Sequence, residues 1–174
     1  MTQELVLTIV ARDKPGVVQA VSEVIADHDG NWMDSSMIRL GGAFAGIVRV
    51  AVPAERIAAF EAALAGLTGQ GLAVTSHDAG TPEPAGGAAA HLALSGVDHP
   101  GIVRDVSSAL ANSGVSIEEL STEQFPGSMT GESMFSATAR IVIPPDADVD
   151  ALRERLEMLA QDIMVEIDIR AGST

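Results

Sequence analysis

The sequence predicts an α+β chain made of two tandem copies of one small unit, each a four-stranded antiparallel sheet with two helices on one face. Three observations predict it. First, Asp13-Lys14-Pro15-Gly16-Val17-Val18 returns as Asp98-His99-Pro100-Gly101-Ile102-Val103, an offset of 98 − 13 = 85 residues. The match runs on at that offset through Val21 and Val106, Ser22 and Ser107, Ala26 and Ala111, and Ser36 and Ser121. Self-similarity at half the chain length indicates duplicated domains, because solenoid repeats have shorter periods. Second, the hydrophobic spacing of each copy reads strand, helix, strand, strand, helix, strand. Third, a Pro-Gly turn stands at the first strand-to-helix junction of both copies.

Taken in order, Leu5, Leu7 and Ile9 alternate with Val6, Thr8 and Val10, and both faces are largely apolar, as suits a central strand. Pro15, with its fixed backbone angle, is placed in the first turn of the next helix. Val17, Val21, Val24 and Ile25 make that helix's apolar stripe, and Asp29-Gly30 ends it. Strands at about 31–40 and 43–52 follow, joined by Gly41-Gly42, a two-residue hairpin signal. Phe44, Val48, Val50 and Val52 mark the buried face of the second. Ile57, Phe60, Leu64 and Leu67 line another helix, and Leu72-Ala73-Val74 begins the last strand.

Thr81-Pro82-Glu83-Pro84-Ala85-Gly86-Gly87 is linker chemistry, so the domains are set at 1–78 and 90–174 with a linker over 79–89. The second copy then places Leu92 and Leu94 in a strand and Ile102, Val106 and Leu110 in a helix. Strands at about 115–124 and 133–143 flank a longer loop, Phe125 to Gly131. Leu152, Leu156 and Leu159 line the second helix, and Val165, Ile167 and Ile169 the closing strand. With right-handed crossovers, β-α-β-β-α-β gives the ferredoxin-like arrangement. The other face of each sheet is left uncovered. Val6, Val10 and Ile47 fall there, and their apolar character predicts sheet pairing between units or chains, hence a homodimer.

Composition narrows the function. At 47% hydrophobic residues the chain is globular, and with four Phe, one Trp and no Tyr its cores are aliphatic. The formal charge of −14 and the lack of any Lys/Arg run argue against direct nucleic-acid binding, which needs cations to displace counterions from phosphates. Any role in gene control would pass through a protein partner. Without cysteine there are no disulfides or thiolate metal sites. No apolar run approaches the ~18–20 residues that span a bilayer, and Met1-Thr2-Gln3-Glu4 leads into a strand without a basic region. The expectation is a soluble, cytoplasmic protein.

The Pro-Gly turns are the candidate sites, and two readings stand. Gly16 and Gly101 let a ligand approach the backbone where free amides attract a carboxylate, while Asp13 and Asp98 could hold an ammonium; together that is an α-amino acid. On spacing alone the favoured reading is that Asp-x-Pro-Gly makes a good helix start with Asp as the cap. Other signals are weaker. Asp146-Ala147-Asp148-Val149-Asp150 with Glu157 imitates a calcium loop, but Ala151 stands where the sharp-turn glycine is needed, and acidic residues suit a helix N-terminus. His28, His77, His91 and His99 are dispersed, with only His99 near a proposed site, so no metal site is expected. Glu118 and Glu119, as strand neighbours, should point to opposite faces rather than form an acid–base pair. No nucleophile elbow, Walker loop or dinucleotide fingerprint is present, so neither catalytic residues nor a cofactor are expected. Met33, Met37, Met129 and Met134 are read as core filling near paired strands.

The turn motifs, with Gly30-Asn31-Trp32-Met33-Asp34-Ser35-Ser36-Met37 and Ile117-Glu118-Glu119-Leu120, resemble the ACT domain family, and within it the proteins with two ACT units similar to glycine cleavage system transcriptional repressors. The resemblance covers nearly the whole chain outside the linker. It implies binding of a small amino acid, glycine or serine first, against the strand–helix turn of one unit and the second strand of a neighbour. Carried over by motif, it nominates Asp13, Pro15, Gly16 and Asn31, and in the second unit Asp98, Pro100, Gly101 and Ser116. Ser116 in place of Asn31, and Val115 in place of Gly30, imply that the two sites differ, with the first the better ligand site. The expected function is a non-catalytic regulator acting through a protein partner. The alternative is a regulatory subunit or structural dimer module of an amino-acid metabolic enzyme complex.

Overall fold

A computed structural model describes residues 1–80, 86–127 and 131–171. The chain divides into two compact units, Met1–Glu83 and Pro84–Thr174. In the first, β1 (Thr2–Arg12) leads to helix α1 (Val17–Asp27). The hairpin β2 (Asn31–Leu40) and β3 (Ala43–Pro53) follows, then α2 (Ile57–Gly66) and β4 (Leu72–Asp78). A single 3-10 turn precedes α2 and another follows it. The second unit repeats the order with β5 (Ala88–Val97), α3 (Ile102–Ala111), β6 (Ser116–Pro126), β7 (Ser133–Ile143), α4 (Val149–Asp162) and β8 (Val165–Ala171). The sheets run β2-β3-β1-β4 and β6-β7-β5-β8, and every pair is antiparallel. This is the ferredoxin-like α+β fold, twice. Residues 81–85 of the expected linker, and 128–130 of the expected loop with Met129, lie outside the described residues.

Each core lies between one sheet face and its two helices. Leu5, Leu7, Ile9, Val48, Val50 and Val52 meet Val17, Val21, Ile25, Phe60 and Leu64 in the first unit. Leu92, Leu94 and Ile141 meet Ile102, Val106, Leu110, Leu152 and Leu156 in the second. The local signals act as their chemistry requires. Gly41 and Gly42 both have positive φ (57° and 79°), as a type I′ hairpin demands. The first helix ends in a Schellman arrangement, with Gly30 N–H donating to the Ile25 carbonyl and Asp29 N–H to Ala26. Asp29, not the glycine, takes the left-handed conformation there, whereas Gly114 takes it in the second unit. The acidic run before α4 is a cap: the Asp148 carboxylate accepts from the Ala151 N–H at 2.9 Å. Asp148→Ala is expected to cost about 1 kcal/mol, measurable as a lower urea midpoint with unchanged slope.

Both second strands carry a β-bulge at the same repeat position, between Trp32 and Asp34 and between Ile117 and Glu119. The bulge overturns the expectation that Glu118 and Glu119 point apart. Both reach Arg140, at 3.0 and 3.5 Å, so the two carboxylates share one guanidinium. Arg49 does the same in the first unit, pairing with Asp34 and, at 3.7 Å, with Glu4. The methionines do not form one group. Met37 packs against the first core, Met33 is exposed at the bulge and Met134 lies in β7 opposite Phe125.

The outer sheet faces differ. In the first unit Val10 and Ile47 are 49% and 53% exposed, and Ile38 and Leu40 more so. The corresponding face of the second unit is more polar, with Ser95, Glu123 and Thr138 where the first has Val10, Ile38 and Ile47, although Val97 and Phe125 stay exposed at one end. Among the described residues no helix is long and apolar enough to cross a membrane.

Candidate functional site

The Pro-Gly turns do not begin the helices in the expected way. Gly16 and Gly101 are N-caps, at φ 94° and 104° with ψ near zero, and α1 and α3 start one residue later. Pro15 and Pro100 thus precede the cap. A proline followed by a glycine at these angles is the pairing a type II turn requires. Neither aspartate caps a helix, since no side chain caps α1 or α3. Instead each is held to the hairpin side of its own sheet. Asp13 N–H donates to the Gly42 carbonyl at 3.1 Å, and its carboxylate meets Arg39 Nε at 3.0 Å. Asp98 N–H donates to the Ser133 carbonyl, and its carboxylate accepts from Gln124 Nε2 at 2.6 Å. Arg39 and Gln124 are repeat equivalents (124 − 39 = 85), so one tether has been kept with two chemistries.

The residue after each aspartate is a second tether. Lys14 Nζ donates to the Gln70 carbonyl at 2.6 Å, just past α2. His99 Nε2 lies 2.9 Å from the Ile163 carbonyl, just past α4. A donor at these orphan helix-end carbonyls satisfies them, and a lysine there also complements the helix dipole. His99 therefore braces the turn.

Above the first turn is an open concavity of about 360 Å³, lined by Asp13, Lys14, Pro15, Gly16, Gln19, Arg39 and Phe44 among others. Nothing lies within 4 Å of where a Gly16 side chain would start. The second turn is covered. A side-chain carbon on Gly101 would sit 2.9 Å from Arg104 Nη2, and Arg104 Nε bonds Asp105 at 2.7 Å. That hydrogen bond is the main cause holding the Asp105 carboxyl below, and the Arg104 guanidinium above, its ordinary range. Because the folded-state pKa of Asp105 is depressed, the cover is intact above pH 3.8 and is lost as pH falls through the lowered value. Both groups face solvent, so the expected readout is not stability but a shift of the Gly101 amide resonance in that acid range.

The structure thus brings Asp13, Pro15 and Gly16 together, and likewise Asp98, Pro100 and Gly101. Asn31 and Ser116 are not with them. They start β2 and β6, while Arg39 and Gln124, beside the turns, lie eight residues further along, roughly 25 Å at strand rise. Within its own unit neither residue reaches the turn. Arg39 and Phe44 were not nominated from the sequence. The available signal was that position 39 and its repeat equivalent 124 both stay polar on an inward-facing register.

Comparison with known proteins bears on the fold. Residues 3–75 match the family model described as the ACT domain. An unknown protein from Galdieria sulphuraria is 28% identical with a TM-score of 0.85, the alignment covering 99% of this chain and 100% of that one. A structure provisionally described as a glycine cleavage system transcriptional repressor is 18% identical with a TM-score of 0.74, covering 100% and 99%. No curated protein matches the chain in sequence. Residues 3–75 therefore match the ACT domain model, and the chain as a whole has the ferredoxin-like α+β fold in tandem, as these two solved structures do.

Proposed function

We propose that this protein is a non-catalytic regulator that binds a small α-amino acid, glycine or serine first, at the Asp13–Gly16 turn. The observation that carries the reading is the Asp13–Arg39 pair at 3.0 Å beside an uncovered glycine. Arg39 engages Asp13 through one nitrogen, which leaves donors for a ligand carboxylate, and Asp13 keeps acceptor capacity for an ammonium. Such a charge pair is complementary to a zwitterion. Gly16, with positive φ and no side chain, keeps the approach to the α1 N–H groups free. Asp98, Pro100 and Gly101 form the poorer counterpart, with a neutral amide in place of the guanidinium and Arg104 over the glycine. Asn31 and Ser116 would contribute only to a turn presented from outside their own unit.

The signal passes to a protein partner, and control of transcription in amino-acid metabolism is the role suggested by the similarity to the repressor-like structure. A net charge of −14 favours a protein intermediary over direct contact with nucleic acid, in a cytoplasmic setting. The exposed Val10, Ile38, Leu40 and Ile47 favour homodimerisation through the first sheet. That face would equally serve a structural dimer module or a regulatory subunit of a metabolic enzyme.

The test is a thermal-shift scan against the twenty free amino acids. Ligand at a hundred times its Kd stabilises by about 2.7 kcal/mol. A shift with glycine or serine that disappears in Gly16→Val supports the reading. No shift with any amino acid removes it and leaves the dimer module.

A further inference from the structure

The two repeats differ where the second helix meets the end of the sheet. Strand register aligns them: Leu5 opposite Asp78 corresponds to Ala90 opposite Ala171, and Leu7 opposite Ser76 to Leu92 opposite Ile169. The buried pair Phe60 and Leu64 on α2 corresponds to Leu152 and Leu156 on α4, which sets Arg153 in the place of Glu61. In the first unit Ser76 Oγ donates to Glu61 Oε1 at 2.9 Å and ties helix to edge strand. In the second unit that pair is Ile169 and Arg153, and isoleucine has no polar atom to answer the guanidinium. Three positions beside them are smaller as well: Gln3 becomes Ala88, Leu5 becomes Ala90 and Asp78 becomes Ala171.

Those exchanges leave an open hollow of about 560 Å³ between α4 and the ends of β5 and β8, with Ala90, Ile143, Pro144, Val149 and Ile169 among its walls. Arg153 is the one polar side chain among the described residues that line it. Among the described residues nothing accepts a hydrogen bond from Arg153 or pairs with its charge. Asp150 and Glu157, its neighbours at helical spacing, leave it unpaired, and Asp148 is committed to capping α4. An unpaired guanidinium beside carbon walls is complementary to a molecule with one carboxylate and an apolar body, since its fork of donors matches a carboxylate. The volume falls within the roughly 300–1,000 Å³ of small-molecule sites. We propose that this hollow binds a small aliphatic monocarboxylate, with its chain along the walls and its carboxylate on Arg153. The site lies wholly within the second unit and does not depend on the amino-acid reading of the first turn.

The test titrates the full chain with octanoate, hexanoate and octanol, followed by calorimetry and by side-chain NMR. One octanoate per chain is expected, bound roughly tenfold more tightly than hexanoate because two more methylenes are buried. The Ile143 and Ile169 methyl resonances and the Arg153 Nε–H resonance should shift, and octanol should bind at least tenfold more weakly than octanoate. Arg153→Gln, at an exposed position, and Ala90→Leu, which restores the first unit's larger side chain, should each weaken octanoate at least tenfold. If Ala90→Leu does not fold, Arg153→Glu/Ile169→Ser takes its place, installing the first unit's bonded pair with the same expected loss. No saturable octanoate binding overturns the proposal, as does binding that Arg153→Gln leaves intact or that octanol equals. Shifts confined to Val10, Ile38 and Ile47 would mean adsorption to the first sheet's apolar face and would overturn it too.

Discussion

Phe60→Ala is expected to destabilise the first unit by about 3–5 kcal/mol, a large share of the total for a domain of this size. Phe60 is fully buried on α2, sits at the centre of a core otherwise made of aliphatic side chains, and meets the His28 ring edge-on at 5.8 Å. Leu7, Ile9, Val48 and Val50 in the same core are anchored on a paired sheet, which limits how far the space can collapse. The chain's single tryptophan, Trp32, packs against this core and reports on it. The midpoint of its fluorescence transition in urea should fall sharply. Leu152→Ala, at the fully buried position on α4, should cost about 2–5 kcal/mol in the second unit.

Arg39→Gln is the second large effect, this time on binding. The change gives the first turn the residue the second turn has. It removes the charge that a ligand carboxylate would meet while leaving a donor for Asp13. Hydrogen bonds to charged groups contribute about 1.5–3 kcal/mol, so the affinity for glycine or serine should fall by roughly ten- to a hundredfold. Arg39 is 71% exposed, so unfolding should barely change. Gln124→Arg, its mirror image, should not create an equally strong site, because Arg104 still lies over Gly101.

Much of the fold was written locally. Alternation in β1, the Gly41-Gly42 hairpin and the helical stripes each depend on near neighbours, and the 85-residue repeat gives every element a second reading. What stayed hidden depends on contacts distant in sequence. A bulge adds one residue to a strand whose alternation is already blurred in Asn31-Trp32-Met33-Asp34-Ser35-Ser36, so the convergence of Glu118 and Glu119 on Arg140 could not be seen. The cap reading of Asp13 and Asp98 failed because Pro-Gly closes a turn of its own before the helix, leaving the carboxylates to side chains 26 positions away. Arg39 was one cation on an exposed strand until register set it opposite Phe44 and beside the Asp13 turn. The unequal turns follow from two pairs of residues: Arg39 becomes Gln124, and Gln19 becomes Arg104, with Asp105 beside it to hold the guanidinium in place.

Calorimetric titration of the full chain with glycine and serine, in parallel with Asp13→Ala and Asp98→Ala, tests the assignment of the first turn most directly. One ligand per chain is expected, with binding abolished by Asp13→Ala and kept by Asp98→Ala. No heat with either amino acid, or binding lost in Asp98→Ala and kept in Asp13→Ala, would contradict it.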